Sequence, residues 1–271
     1  MGILCIMSNL PNKTALITGA SSGIGEAFAE ELASRGYQLI LVARREDRLQ
    51  QMAEKLSERY GNHVQLLAAD LSDEDDMSRV EVFLRDGEGV DLLVNNAGFG
   101  MVGAFATIEL TEHLRMLQLH VIASMRLAHA ALPAMLERQA GGIINVSSVA
   151  GFVQGGNITY HTTKSFLIEF SQSLNREVAW KGVRVQALCP GYTRTEFHDP
   201  PELSAIRRSR LPGFMWLDAE NVVKESLKAL DQNQVICVPG MAYKIIVFLV
   251  RSPLIAPLVN LIAVRMRKRV A

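Results

Sequence analysis

Short apolar runs alternate with longer amphipathic stretches along most of the chain. The apolar runs are rich in β-branched residues, and turn residues bound most of them, which is typical of buried strands. This pattern predicts strands over residues 13–18, 38–43, 64–68, 91–95, 142–147, 183–187 and 234–238. Helical periodicity between them predicts helices that include residues 25–35, 46–59, 111–138, 160–181 and 218–231.

Wholly apolar strands that alternate with helices indicate a parallel sheet covered on both faces. Because such crossovers are right-handed, we expect an α/β fold with a doubly wound, seven-stranded parallel sheet. Residues 10–240 would form this domain, with an insert at about 196–217, and residues 241–271 would form a C-terminal helical extension. Ligands of such sheets bind beyond the carboxyl ends of the strands, so motifs far apart in sequence are expected to meet there.

The C-terminal extension is strongly apolar over residues 245–264, but Arg251, Pro253, Pro257 and Asn260 interrupt it. A membrane-spanning helix needs about 20 largely uninterrupted apolar residues, so we expect two short amphipathic pieces instead. This pattern favours a subunit interface or a cover over a ligand site, and in second place a membrane surface. Basic residues follow the apolar stretch, namely Arg265, Arg267, Lys268 and Arg269.

Composition excludes some classes of function. The 271 residues carry 28 basic and 28 acidic side chains, so electrostatics gives no support to a nucleic-acid partner. The three cysteines are scattered without a CxxC pair, which argues against a metal site or a disulfide framework. A reducing, cytoplasmic location fits this cysteine usage, and residues 1–10 lack the regions expected of a signal peptide.

The first predicted strand runs into a turn that contains three glycines, residues 18–25. Gly19 permits a tight turn, Gly23 lets backbone approach a pyrophosphate, and Gly25 lets a helix pack close to the strand. The helix start then offers free N–H groups and a positive dipole end to phosphates. A glycine-rich turn alone is weak evidence, but the strand before it and the helix after it match a dinucleotide site. The remaining candidates for cofactor contact in this turn are Ser21, Ser22 and Ile24.

Two arginines follow the second predicted strand. Dinucleotide folds that use NAD usually carry an acidic residue at this strand end, which holds the ribose 2′-hydroxyl. Here position 43 is Ala, and Arg44 and Arg45 come next. No carboxylate is present to repel a 2′-phosphate, and guanidinium groups bind phosphate well. We therefore predict a preference for NADP(H); the alternative is that both arginines are solvated surface charges.

The fifth predicted strand ends near Ser148, and Tyr160 and Lys164 open the following helix. A spacing of four puts Tyr160 and Lys164 on one helical face. A tyrosine has a pKa near 10, and a nearby ammonium lowers it, so the pair can act as an acid–base couple. The Ser148 hydroxyl can stabilise developing charge on a substrate oxygen.

Together these motifs resemble the short-chain dehydrogenase/reductase family, in family order and near family spacing, over about residues 13–240. The resemblance implies a Rossmann-type fold and an NADP(H)-dependent oxidoreductase that interconverts a ketone or aldehyde and an alcohol. It also implies a homo-oligomer, a dimer or tetramer. Tyr160 would exchange the proton with the substrate oxygen, and Lys164 would bind the nicotinamide ribose. Further residues implied in cofactor contact are Asp70, Leu71, Asn96, Ala97, Gly98, Pro190, Gly191, Thr193 and Thr195.

One residue departs from the family pattern. The family often carries an Asn on the helix before the fifth strand, where its main chain holds a water linked to the catalytic lysine. Here His120 takes that place. Because histidine titrates near neutral pH, one interpretation is an altered proton relay. The favoured interpretation is a tolerated replacement, since the family's water is held by backbone.

The resemblance implies that the insert at about 196–217 closes over the substrate. Its apolar residues would then indicate an apolar or aromatic carbonyl compound; the alternative is that they only pack the insert against the domain. These residues are Phe197, Leu211, Phe214, Met215 and Trp216. An insert cluster of Arg207, Arg208 and Arg210 would suit a 3-oxoacyl thioester, although a solvated charged face explains it more simply. Two alternative functions remain at this point. One is an NADP(H)-sensing protein without turnover, and the other is a membrane-peripheral lipid or thioester reductase.

Overall fold

The computed structural model describes residues 13–87, 89–153, 157–198 and 212–252. Within them, seven strands form one parallel sheet in the order β3-β2-β1-β4-β5-β6-β9. The strands are β1 (Thr14–Thr18), β2 (Gln38–Ala43), β3 (Val64–Ala68), β4 (Leu92–Asn95), β5 (Gly141–Val146), β6 (Val183–Leu188) and β9 (Ile236–Cys237). The predicted doubly wound α/β fold is confirmed. From β1 the sheet extends through β2 and β3 on one side and through β4, β5, β6 and β9 on the other.

Helices cover both faces of the sheet, as predicted. The helices are α1 (Gly23–Ser34), α2 (Glu46–Tyr60), α3 (Glu74–Asp86), α4 (Leu110–Leu117), α5 (Ala123–Arg138), α6 (Ile158–Val178), α7 (Ala219–Asp231) and α8 (Met241–Arg251). Buried residues of α1, α2 and α7 form one core with the sheet. Buried residues of α3, α5 and α6 form a second core on the opposite face.

The first core is filled by large side chains with almost no exposure, such as Phe28 of α1 and Leu49 of α2. The second contains Met77 of α3 and Leu127 of α5. Burying one such side chain contributes about 1.5–3 kcal/mol, so the two cores fix the sheet between the helical layers.

The predicted helix over 111–138 is interrupted in the structure. A π-helix, Gln118–Ile122, joins α4 to α5 and carries the buried His120. The continuous helical stretch 110–138 is long and apolar enough to cross a membrane by length and composition. However, Leu127 and Met135 on it are buried in the second core, as in the core helix of a globular fold.

Two features differ from the sequence-based elements. Helix α3 had no predicted counterpart, and it begins where the Asp73 carboxylate accepts hydrogen bonds from the backbone N–H groups of Asp75 and Asp76. A short parallel pair, β7 (Thr193–Arg194) and β8 (Leu217–Asp218), ties the two ends of the 196–217 insert together. The middle of that insert, with Leu211 and the three arginines, lies outside the described residues, as does the chain beyond Ser252.

Candidate active site

The carboxyl ends of the strands border a cleft of about 1280 Å³. The predicted catalytic and cofactor-contact residues all line this cleft, except Gly25 and His120. Of the described insert residues predicted to close over the substrate, Phe197 and Met215 line the cleft, whereas Phe214 and Trp216 do not. The structure therefore brings together motifs separated by more than a hundred residues. The dinucleotide motif lies at one part of the cleft, between β1 and α1, and Ser148, Tyr160 and Lys164 lie at another.

The glycine turn between β1 and α1 is built for close backbone approach. Gly19 has a φ of 64°, and a side chain there would come within 2.9 Å of the Ala97 Cα. At Gly25 a side chain would collide with the Gly19 carbonyl, so only glycine lets α1 start this close to the strand. Ser22 is the N-cap of α1 but makes no side-chain capping bond. The N–H groups of the first turn are thus open to an anionic ligand.

Asn96 braces this turn against the end of β4. Its side-chain amide donates to the carbonyls of Thr18, at 2.9 Å, and Gly19, at 3.2 Å. The Thr18 hydroxyl in turn accepts from the backbone N–H groups of Asn96 and Ala97, at 2.9 and 3.0 Å. These bonds join the predicted ribose-lining segment to the predicted phosphate-binding turn in one rigid wall.

Arginines border the same part of the cleft. Arg45 donates to the Ser21 hydroxyl at 3.1 Å and to the Glu196 carboxylate at 3.2 Å. Arg48, one turn into α2, donates to both Glu196 oxygens at 2.6 and 2.8 Å. Arg44 is exposed, and its nearest acidic partner is Asp70 at 3.7 Å. A basic edge therefore lies beside the end of β2, as the sequence predicted.

Asp70 and Leu71 follow β3 and line the cleft beyond these arginines. The Asp70 carboxylate accepts from the Ser72 hydroxyl at 2.6 Å and from the Ser72 N–H at 3.0 Å. Burial raises the pKa of Asp70, but these hydrogen bonds and the neighbouring Arg44 and Arg115 outweigh it, so the pKa lies below its usual value. Asp70 is therefore a fixed negative charge at neutral pH.

Ser148, Tyr160 and Lys164 converge on the cleft from β5 and α6. The Ser148 hydroxyl accepts from the Ala150 N–H at 3.1 Å, makes a long bond, 3.4 Å, to the Pro190 carbonyl, and also hydrogen-bonds the Tyr160 hydroxyl. It therefore lies within hydrogen-bond reach of Tyr160. The Lys164 ammonium donates to the Val146 carbonyl at 2.9 Å and lies 5.7 Å from the centre of the Tyr160 ring.

The acid–base properties of the pair differ from the sequence-based expectation. Burial raises the pKa of Tyr160 to about 12, although a hydrogen bond with Ser148 opposes the rise. Burial also lowers the pKa of Lys164 to about 8. The expected net pKa of Tyr160 below its ordinary value was wrong, because burial has the larger effect. The physical reason is that loss of hydration disfavours both charged forms, and the ammonium is directed at a backbone carbonyl.

His120 is 1% exposed and bridges two segments of the site. Its Nε2 accepts from the Phe99 backbone N–H at 3.1 Å, and its Nδ1 lies 3.0 Å from the Thr163 hydroxyl. Since a backbone N–H can only donate, Nε2 carries no proton, and Nδ1 is the protonated nitrogen of a neutral ring. Burial, together with the Lys164 charge, lowers the pKa of His120 well below its usual value. This geometry gives no support to a titrating relay.

The segment after β6 closes the remaining side of the cleft. Pro190, Gly191, Thr193 and Thr195 all line it, and the Thr195 side chain lies against Gly23 of the phosphate turn. A side chain at Gly191 would collide with the ring of Tyr243. Cys189, just before Pro190, is buried, and burial raises the pKa of its thiol, so it is no nucleophile.

Comparison with known proteins agrees with this architecture. The family model described as short chain dehydrogenase matches residues 13–202. The chain belongs to the short-chain dehydrogenase/reductase family. It is therefore an oxidoreductase of a family that binds a nicotinamide cofactor, and the cleft described above has the features that such a cofactor needs.

Individual relatives of this short-chain dehydrogenase cover most of its length. Oxidoreductase UcpA of Salmonella typhimurium is 34% identical over 227 residues, which are 83% of this chain and 82% of that protein. A short-chain dehydrogenase from Sphingobium yanoikuyae in complex with NADPH has a TM-score of 0.78 and 36% identity, covering 84% and 88% of the two chains. The bulky-bulky ketone specific alcohol dehydrogenase from Comamonas testosteroni has a TM-score of 0.74 and 36% identity, covering 84% and 86%.

Sequence reasoning missed Glu196 and Tyr243, which line this dehydrogenase's cleft, and Arg48, which pairs with Glu196. Arg48 was hidden in an ordinary charged helix start, although its spacing of three from Arg45 puts both on one face. Glu196, its partner, carried no signal, because it is 148 residues away in sequence. Tyr243 lies beyond the predicted domain boundary at 240, yet it is 2% exposed and seals the cleft. Helix α8 therefore packs as part of the site.

Proposed function

We propose that the chain is an NADP(H)-dependent reductase of an apolar ketone or aldehyde, with Tyr160 as the proton donor. The observation that carries this proposal is the convergence of Ser148, Tyr160 and Lys164 in one cleft with the glycine turn. The turn offers a phosphate cradle, and the three side chains offer the acid and the oxygen-binding group of a carbonyl reaction. The chemistry and the cofactor site thus share one cavity.

The charges beside β2 support NADP(H) rather than NAD(H). Position 43 is Ala, so no acidic side chain at this strand end opposes a 2′-phosphate. The Arg44 side chain is largely exposed to solvent, and the Arg45 guanidinium donates a hydrogen bond to the Ser21 hydroxyl of the glycine turn. Arg48 extends the same basic edge and neutralises Glu196, which would otherwise repel a phosphate. Guanidinium groups at these places suit a phosphate dianion.

When bound in this cleft, NADPH would provide a hydride for the carbonyl carbon of the substrate. The Ser148 hydroxyl donates to the carbonyl oxygen and stabilises its developing negative charge. Tyr160 gives its phenolic proton to that oxygen, so the product is the alcohol. A pKa of about 12 keeps the phenol protonated at neutral pH, so that Tyr160 has a proton to give when negative charge develops on the carbonyl oxygen. The Lys164 ammonium then stabilises the phenolate that remains.

We assign a positioning role to His120. It holds the Phe99 N–H, at the end of the predicted ribose-lining loop, and the Thr163 hydroxyl, next to Lys164. The neutral ring links the loop to α6 without changing protonation state near neutral pH. Of the two interpretations of His120 that the sequence left open, this proposal adopts the tolerated replacement of the family's asparagine and not the altered proton relay.

The lining of the cleft supports an apolar substrate. Val153, Phe197, Met215, Ile246 and Val247 line its walls around Tyr160. Pockets of this kind bind ligands mainly through apolar surface, with a few polar groups for orientation. The alcohol dehydrogenase from Comamonas testosteroni, with its bulky-bulky ketone specificity, supports the same substrate class for this chain.

The deciding experiment combines cofactor titration with turnover. Wild-type protein and Tyr160→Phe are titrated with NADPH and NADH by nicotinamide fluorescence, and both are assayed with a panel of apolar ketones. We expect both proteins to bind NADPH with similar affinity and to bind NADH more weakly. Turnover of Tyr160→Phe should fall by about 10²–10⁴-fold, the usual contribution of a positioned acid.

Arg44→Ala/Arg45→Ala is the matched variant for the cofactor assignment. It should weaken NADPH by tenfold or more and leave NADH nearly unchanged, because charge-assisted bonds contribute about 1.5–3 kcal/mol each. An equal loss of affinity for NADPH and NADH would instead mean that Arg44 and Arg45 are solvated surface charges without a role in cofactor choice. Tight NADPH binding without turnover on any ketone would instead support a sensor, and near-normal turnover of Tyr160→Phe would refute the proton donor.

A further inference from the structure

Helix α8 has two different faces, and the inner one belongs to the cleft. Tyr243 and Val247 are buried and line the cleft together with Ile246. The Tyr243 hydroxyl donates to the Met215 carbonyl at 2.6 Å and accepts from the Tyr192 N–H at 3.0 Å. These contacts fix the helix across the mouth of the cleft, so its orientation on the protein is defined.

The outer face of the same helix is apolar and open to solvent. Met241, Ile245 and Phe248 are 70%, 54% and 71% exposed. Their spacing of four and three residues places them in one stripe along the helix, opposite the buried face. Phe214, 73% exposed, lies on the Gly213–Met215 turn that packs against the start of α8. We call these four residues the outer stripe.

Charge is distributed unevenly around the outer stripe. Residues 241–271 contain six basic side chains (Lys244, Arg251, Arg265, Arg267, Lys268 and Arg269) and no acidic ones. Because the whole chain has a net charge of zero, residues 1–240 carry a net charge of −6. A negatively charged surface would therefore attract the part of the chain that bears the stripe and repel the rest.

Lys244 and Arg251 are held where they can flank such a contact. The Lys244 ammonium pairs with Glu225 at 3.1 Å, and the Arg251 guanidinium lies 5.5 Å from the centre of the Phe152 ring. Both side chains are exposed, next to the stripe on the helical circumference. An exposed apolar stripe bordered by cations is the pattern of a helix that lies in a bilayer interface.

We propose that α8 docks this protein on an anionic lipid bilayer through the outer stripe. Met241, Ile245 and Phe248 enter the boundary between headgroups and acyl chains, and Lys244 and Arg251 contact the anionic headgroups. Because the inner face of α8 lines the cleft, docking places the mouth of the cleft at the bilayer surface. An apolar carbonyl compound dissolved in lipid then reaches Tyr160 directly; this last consequence rests on the proposed function, whereas docking does not.

The test is co-sedimentation of the full-length chain with phosphatidylcholine vesicles, with and without phosphatidylserine. We expect binding only to the vesicles with phosphatidylserine, weakened by added salt. Ile245→Ser/Phe248→Ser should reduce binding by roughly tenfold or more, because two large apolar side chains no longer leave water. Trp180→Ser is the control, since Trp180 is 76% exposed just before β6, at the amino ends of the strands and away from the carboxyl ends that border the cleft.

NADPH binding is measured for every variant, and retained binding shows that the fold and the cleft are intact. Equal co-sedimentation of the double variant and the wild type with the vesicles would overturn the proposal. So would a wild type that binds neither kind of vesicle. A change in the molecular mass of the double variant without lipid would identify the stripe as a contact between copies and also overturn it. Failure of the proposed reaction would appear in the ketone assay, with vesicle binding unaffected.

Discussion

At the scale of single residues, burial controls the chemistry of the cleft. Tyr160 and Lys164 both lose hydration, which moves their pKa values to about 12 and about 8. Both shifts favour the uncharged side chains. A neutral phenol is the form that a carbonyl reduction needs, since it must give a proton. The Lys164 ammonium, by contrast, loses its charge as the pH rises through about 8, which is within the range of an ordinary activity assay.

The pH dependence of turnover follows from the Lys164 pKa. Below about 8 the side chain is an ammonium that stabilises the Tyr160 phenolate, and above it the charge is lost. We therefore expect kcat/KM for the ketone, at saturating NADPH, to be constant below this value and to fall as pH rises through about 8, because this ratio includes the step in which Tyr160 gives up its proton.

His120→Asn is the matched control for this profile. The ring of His120 is neutral at all these pH values, because burial lowers its pKa well below the usual range. The alkaline decline should therefore persist in the variant with the same midpoint. A wild-type profile that stays flat to pH values near 10 would contradict the role given to the Lys164 ammonium.

At the scale of secondary structure, the sequence predicted the elements that carry the site better than those that connect them. The predicted bounds of β2 and β3 agree with the structure. β2 is buried on both faces of the sheet, whereas β3 is an edge strand whose residues are only partly buried. The π-helix at Gln118–Ile122 was not predictable, since its residues continue the apolar period of α4 and α5. A π-turn differs from an α-turn in backbone hydrogen bonds, and the side-chain pattern records no such difference.

The site shows the same division between local and distant information. Gly19 and Gly25 were identified because local sterics demand glycine there, and the structure gives both reasons. Glu196 could not be identified, because its importance comes from Arg45 and Arg48 on another element. The raised pKa of Tyr160 also needed the structure, since burial is set by the whole fold. Pair spacing alone suggested the opposite shift.

The π-helix yields a prediction at this scale. Its central residue, His120, joins the Phe99 loop to α6, so His120→Ala leaves the Phe99 N–H and the Thr163 hydroxyl without these partners. We expect a loss of about 1–3 kcal/mol in the free energy of unfolding and a lower kcat, because Tyr160 and Lys164 are less precisely held. His120→Asn keeps a donor and an acceptor and should retain more of both.

Urea unfolding and steady-state kinetics over a range of pH separate the two interpretations of His120. A positioning residue changes kcat without changing the shape of the pH profile. A proton relay would instead give the wild type an inflection between about pH 6 and 7 that His120→Asn removes. Observation of that inflection would restore the relay and contradict the neutral tautomer inferred from the Phe99 contact.

At the scale of the whole molecule, two apolar surfaces remain exposed in the described residues. One is the outer stripe of α8, beside the mouth of the cleft. The other runs along α4 and the start of α5, where Leu110, Leu114, Leu117 and Met125 are exposed at helical spacing. Exposed apolar surfaces of this extent commonly mark association sites. The two surfaces lie on different elements, so their partners can be tested separately.

The α4 surface is the expected contact between subunits of a homo-oligomer. In a two-fold symmetric contact the same residues face each other, so a charge at its centre meets its own copy. Leu114→Arg keeps good helix propensity while it places like charges together. We expect analytical ultracentrifugation to give an oligomer for the wild type and a monomer for the variant, both with intact NADPH binding. Trp180→Ser should sediment as the wild type does, since it tests exposure alone. If Leu114→Arg is still an oligomer, or if the wild type is a monomer at all concentrations, the α4 surface is not a subunit contact and is exposed to solvent.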